Sequence, residues 1–199
     1  MRWIGLLGGV ASGKSRVAQM LAEVGAIVLD ADRMGHEVLQ WPEVEAAAQR
    51  RWGDKVFGDD GHVDRARLGE IVFSPPPEGP REREYLEQLT HPRIGQALQD
   101  RAREAAEQGA AAVVLDAPLL LEAGLDRLCD TIWFVDAPAA TRLERALARG
   151  WDEQHFAARE RAQRDLDAKR ERADHVIDNS GTPDETRVQV QELWSQLVG

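Results

Sequence analysis

The chain has 199 residues, a net charge of −10 and a sequence pI near 5.0. That length suits one core carrying an insertion rather than two large independent domains, and the acidic balance excludes long-range attraction to nucleic acid or an anionic membrane surface. Cys129 is the sole cysteine, which excludes an intramolecular disulfide and suits a reducing compartment, and no run of about 18 apolar residues is present to span a bilayer.

The first predicted element is a short apolar strand at 3–7. It is broken by Gly8 and Gly9, so it does not read as a leader segment. Residues 8–15, GGVASGKS, fit the pattern G-x-x-x-x-G-K-[ST] with Gly8, Gly13, Lys14 and Ser15 in the required places. A helical pattern with Val17, Leu21 and Val24 on one face follows. Strand, glycine-rich loop and helix together define a phosphate-binding loop: amide N–H groups and a helix N-terminus converge on an anion. Here Gly9, Val10, Ala11, Ser12, Gly13, Lys14, Ser15 and Arg16 are the nucleotide-binding candidates, Lys14 reaching the β- and γ-phosphates and Ser15 ligating Mg²⁺. Lysine is otherwise rare, with three against 22 arginines. The alternative is a glycine-rich turn with an incidental lysine.

Further apolar runs at 26–29, 112–115, 131–135 and 175–177 alternate with helical stretches, the signature of β-α units around a buried parallel sheet. Four of the five runs end at an acid, Asp30, Asp116, Asp136 or Asp178. Carboxyl ends of parallel strands are where such sheets bind ligands. Asp30-Ala31-Asp32 sets two carboxylates on one side if the backbone stays extended, suited to orienting a hydroxyl; the alternative is a helix N-cap. Asp116 is placed to stand near a metal.

Between the second and third strands, helical patterns at 34–40, 43–52, 65–73, 82–89 and 94–107 describe a helical insertion over 33–108. Residues 74–80, SPPPEGP, form a stiff turn within it. His91, before Pro92, is either a phosphate contact or a helix-boundary residue. In 115–122, LDAPLLLE, the leucines are equally well explained as core. Arginines at 142, 145, 149, 159, 161, 164, 170 and 172 are read mostly as solvated or paired. Residues 182–185, TPDE, form a capping box with proline at the first helical position, opening a last helix.

Taken in order, GGVASGKS, VLDAD at 28–32, LTHP at 89–92, LDAPLLLE, the arginine-rich helices and ADHVIDNSG at 173–181 resemble the dephospho-coenzyme A kinase family over nearly the whole chain. The resemblance implies an α/β P-loop kinase fold over 1–199: a five-stranded parallel sheet flanked by helices, a substrate-binding insertion at 33–108 and a lid at 140–170. It implies ATP with Mg²⁺, dephospho-coenzyme A as acceptor, and a cytoplasmic enzyme needing no protein partner, nucleic acid or membrane. Asp32 is then the base or hydroxyl-orienting group, and Arg149 closes over the phosphates, with Arg145 and Arg159 as rivals. Asp30, His91, Pro118, Leu119, Leu120 and Glu122 lie near the acceptor, and Asn179 and Gly181 near adenine. Position 11 is Ala where the family usually has Gly, position 16 is Arg where Thr is common, and 148–159 is one residue shorter than expected. A kinase for a nucleoside monophosphate or another metabolite hydroxyl, or a nucleotide-dependent switch, is the competing reading; no N-K-x-D guanine-reading motif supports the switch.

Overall fold

The computed structural model describes residues 1–162 and 166–199. In chain order its elements are β1 (Arg2–Gly8), α1 (Lys14–Glu23), β2 (Ile27–Asp30), α2 (Ala31–Leu39), α3 (Pro42–Trp52), α4 (Arg65–Val72) and α5 (Glu78–Glu107), followed by β3 (Ala112–Asp116), β4 (Thr131–Asp136), α6 (Ala139–Leu147), α7 (Glu153–Ala162), α8 (Leu166–Glu171), β5 (His175–Asp178) and α9 (Pro183–Val198). Two compact units result, one of residues 1–30 with 101–199 and one of residues 31–100.

The first unit is built on a sheet in the order β2-β3-β1-β4-β5, parallel at every pairing. β1 runs through its centre, so the chain leaves the sheet at Gly8 between β3 and β4. Ile4 and Leu6 of β1, Ala112 and Val114 of β3, and Trp133 and Val135 of β4 share one core with Val17, Met20 and Leu21 of α1 and Val190 of α9. The intervening residues Val113, Leu115, Ile132 and Phe134 are equally buried. The central strands β1, β3 and β4 are therefore covered on both faces, which is why they read as unbroken apolar runs rather than alternating ones, whereas the edge strands β2 and β5 expose Ile27, Val28 and Val176. Burial of each large aliphatic side chain here contributes roughly 1.5–3 kcal/mol.

Gly5 marks a close approach, since a β-carbon there would lie 2.8 Å from Cys129 Sγ and 2.9 Å from Leu120 Cδ2. Cys129 is shielded enough that desolvation, aided by Asp126 and Asp130, pushes its thiol up to about 12. The final helix opens as its sequence requires: Thr182 accepts from the Glu185 amide, Glu185 accepts from the Thr182 amide, and Pro183 occupies the first helical position.

The second unit is helical, with Ala48, Trp52, Val56, Val63, Leu68 and Val72 at its centre and Tyr85 and Leu86 packed against them. Glu82 clamps this core, accepting from Arg51 Nε and Nη2 at 2.8 Å each and from the Trp52 indole at 2.9 Å. Arg51 first, then Trp52 and Arg81, outweigh desolvation and hold its carboxyl down at about 2. Asp64 caps α4, accepting from the amides of Ala66 and Arg67 at 2.8 and 3.1 Å.

One expectation needs correction here. The segments 82–89 and 94–107 are one helix, α5, which passes through Pro92, and His91 is inside it rather than at a boundary. Proline removes the ladder donor to Gln88 O; in the neighbouring positions Thr90 Oγ1 donates to Leu86 O at 2.8 Å and Arg93 Nη1 to Leu89 O at 2.6 Å. The compact helical unit spans residues 31 to 100, helix beginning at once after Asp30 and the last turns of α5 belonging with the sheet unit. No helix among the described residues is long and apolar enough to cross a membrane.

Candidate active site

Between Gly8 and Lys14 the chain makes a tight loop. Gly13 has φ +98°, and a β-carbon there would collide with the Asn179 amide nitrogen, so glycine is required on both counts. Ala11, in place of the usual glycine, is held at φ +58°, a left-handed conformation disfavoured by roughly 1–2 kcal/mol for a residue with a β-carbon. The loop is closed by the Ser12 amide donating to Gly9 O at 3.1 Å, and α1 starts with the Arg16 amide on Gly13 O at 2.9 Å. Amides of the first turn of a helix have no intrahelical acceptor, and the positive end of the helix dipole favours an anion.

Residues 8–16 line an open cleft of about 490 Å³, together with Pro118, Leu119, Arg149, Trp151 and Arg159. All eight nucleotide-binding candidates at 9–16 border it. At its floor Lys14 Nζ donates to Asp116 Oδ1 in a short ion pair, the two side chains being 15% and 19% exposed. Asp30 is the register partner of Asp116 on the next strand. Asp32 follows two residues later, exposed, in the first turn of α2. The extended backbone expected at 30–32 is absent: α2 starts at Ala31, so strand alternation does not set the two carboxylates on one side.

Three side chains brace the loop, Asn179 and Arg142 buried and Arg145 half-buried. Asn179, 4% exposed, donates from Nδ2 to Ser12 O at 2.6 Å and accepts at Oδ1 from Thr186 Oγ1 at 2.9 Å, while its own amide donates to Asp136 O. Arg145 donates from Nη1 to Ser12 O at 3.0 Å and from Nη2 to Asn179 O at 2.8 Å. Arg142 is 5% exposed, donating to Ala137 O and Val10 O and pairing with Glu160. The guanidinium groups of Arg142 and Arg145 therefore hold the loop, whereas Arg149 and Arg159 border the cleft. Arg170 and Arg172 pair with Asp136 and Asp126; Arg164 and part of the 140–170 segment lie outside the described residues.

Other candidates separate in the same way. Pro118 and Leu119 line the cleft, but Leu120 is fully buried against Gly5, so its side chain is core. Glu122 stands 3.5 Å from the buried Lys169 ammonium. His91 lies in the helical unit, half-buried. Asn179 faces inward and acts on the loop instead of bordering the cleft. Gly181 is exposed in the turn after β5, where hydrogen bonds from Ser180 hold the Asp178 carboxyl below its ordinary range. Trp151 was not singled out by sequence reasoning; its place beside Gly150 and four residues before His155 was the available signal.

A family model described as dephospho-CoA kinase matches residues 2–185. The dephospho-CoA kinase of Symbiobacterium thermophilum is 43% identical over 202 residues, covering 100% of this chain and 82% of that protein. That of Thermobifida fusca is 42% identical over 197 residues, covering 98% and 95%. A crystal structure from Thermus thermophilus matches with a TM-score of 0.81 at 32% identity, covering 100% of this chain and 98% of the other. The dephospho-CoA kinase of Campylobacter jejuni matches at 0.66 and 20% identity over 99% and 97%, a likeness of fold. With its phosphate loop, its central parallel sheet and these relatives along nearly all its length, the chain belongs to the dephospho-CoA kinase family.

Proposed function

We propose that the protein transfers the γ-phosphoryl group of ATP to the ribose 3′-hydroxyl of dephospho-coenzyme A, giving coenzyme A and ADP. Family membership supports the substrate pair. The observation that carries the chemistry is the cleft: a phosphate loop with Lys14 at its floor and Arg149 and Arg159 on its wall.

Phosphoryl transfer through a loose transition state needs alignment and neutralised charge more than covalent help. The loop amides and Lys14 hold the β- and γ-phosphates, and Lys14 exchanges part of its contact with Asp116 for phosphate oxygen. Asp32 orients the acceptor hydroxyl. That oxygen bonds to the γ-phosphorus, the bond from phosphorus to the ADP oxygen breaks, and Asp32 receives the proton late, since a carboxylate with a reference pKa of about 3.9 is a weak base toward an alcohol. Arg149 meets the transferring group with its planar fork. A hydroxyl and a carboxylate, Ser15 and Asp116, are the hard oxygen donors that suit Mg²⁺, which takes its remaining ligands from phosphate and water; no group of three or more His, Cys, Asp or Glu among the described residues offers a fuller protein cage. When bound, the ion neutralises charge on the β- and γ-oxygens.

The insertion at 33–108, with His91, and the segment of Pro118, Leu119 and Glu122 receive the acceptor; 140–170 is the lid, and Gly181 borders the adenine side. The enzyme works in the cytoplasm without a protein partner, nucleic acid or membrane. The test is ADP release with and without dephospho-coenzyme A, with the product identified by phosphorus NMR. Acceptor-dependent turnover giving a 3′-phosphomonoester is expected, and preferential phosphorylation of AMP, CMP or shikimate would overturn the proposal.

A further inference from the structure

The cleft wall carries a three-residue stack. Gly150, at φ +82°, turns the chain between α6 and α7. Asp152 then caps α7, its carboxylate accepting from the His155 amide at 2.6 Å. This fixes the rotation of the helix and sets His155 and Arg159 on one face, four residues apart. The Trp151 indole stacks on the His155 ring with centroids 4.6 Å apart and planes 21° from parallel. Arg159 lies on the same indole, its Cζ 4.8 Å from the ring centroid, and donates from Nε to His155 Nε2 at 3.0 Å. An arginine always donates, so His155 Nε2 is the acceptor in this contact.

We infer that Trp151 and His155 are positioning residues that hold the Arg159 guanidinium at the wall of the phosphate cleft, making Arg159 a second arginine that, beside Arg149, engages the transferring phosphoryl group as its charge spreads in the transition state. An arginine on an exposed helix samples many rotamers, and each must be frozen out when it binds an anion. Here the ring face and the imidazole nitrogen restrict it beforehand. The tether uses Nε–H, so it does not occupy the two Nη groups that can span two phosphate oxygens. Trp151 and Arg159 both border the cleft, so the restraint acts where the phosphates are bound. His155 is exposed, and its interactions in this stack are directed at Arg159 and Trp151.

The inference rests on reading the cleft as the ATP site, and a double-mutant cycle separates the two. Trp151→Ala and His155→Leu should each lower kcat about tenfold, the scale of one rotamer-rich side chain losing its preorganisation, with ATP affinity and melting temperature nearly unchanged. Trp151→Phe, which keeps a ring face, and His155→Gln, which keeps a neutral acceptor, should restore most of kcat. In an Arg159→Ala background, Trp151→Ala and His155→Leu should add less than a twofold loss. Equal losses in that background, or kcat within twofold of the unmodified enzyme for Trp151→Ala, would overturn the inference. Failure of the unmodified protein to bind ATP by calorimetry would overturn the reading of the cleft and the inference with it.

Discussion

Replacing Asn179 by Ala should loosen the phosphate loop while leaving every side chain that borders the cleft in place. The substitution removes two buried hydrogen bonds, from Nδ2 to Ser12 O at 2.6 Å and from Thr186 Oγ1 to Oδ1 at 2.9 Å. Each is worth about 1 kcal/mol net. Neither partner is stranded: Ser12 O retains Arg145 Nη1 at 3.0 Å, and the Thr186 hydroxyl retains Thr182 O at 3.3 Å. The larger desolvation penalty is thereby avoided, leaving a loss of about 2 kcal/mol, or about 4–8 °C in Tm for a chain of this size. Because Ser12 is in the loop, ATP should also bind more weakly, and GTP should weaken by the same factor. Asn179→Asp should be worse than Ala, since a carboxylate can accept from Thr186 but sets negative charge against the Ser12 carbonyl. Calorimetric melting and nucleotide titrations decide it. If Asn179→Ala kept its Tm within 1 °C while losing discrimination between ATP and GTP, Asn179 would be an adenine contact and the bracing argument would fail.

Lys14→Met should fold and lower kcat by ~10²–10³-fold, the scale of losing one preorganised electrostatic contact; near-normal turnover would remove the cleft as the reaction centre. Asp32→Asn should bind ATP normally and lose at least ~100-fold in kcat, whereas an early melt with intact activity would make Asp32 a helix-start residue only. Glu82 has its folded carboxyl at about 2 against an ordinary 4.5, so its contribution is complete above the higher value and disappears as pH falls through the lower one. Thermal melts from pH 5 to about pH 2 should therefore decline more steeply for the unmodified protein than for Glu82→Gln, and parallel profiles would show that this clamp does not govern acid stability.

Local chemistry made much of this molecule legible. Strands buried on both faces appear in sequence as apolar runs, and an acid at the end of each of four runs does stand at a strand terminus, at Asp30, Asp116, Asp136 and Asp178. The phosphate loop was readable because all its parts are contiguous. What depended on distant packing was not. Nothing near Asn179 indicates that its amide turns inward to a carbonyl 167 positions away, or that Arg145 braces the loop while Arg149 and Arg159 border the cleft. Leu120 is indistinguishable by type from Leu119, yet Gly5 leaves room beneath one and the cleft is beside the other. Pro92 reads as a helix breaker by the backbone rule, yet α5 runs straight through it.

The lone thiol packed over Gly5 gives the sheet unit a clock of its own. Burial holds the Cys129 thiol far above the ordinary cysteine range, so it ionises much less readily in the native protein than in an unfolded chain. Alkylation is thus faster on any opened chain than on the native one. The rate at which a small iodoacetamide reagent consumes the thiol then counts excursions in which the segment after β3 lifts from β1, with no label introduced and no other cysteine to confuse the signal.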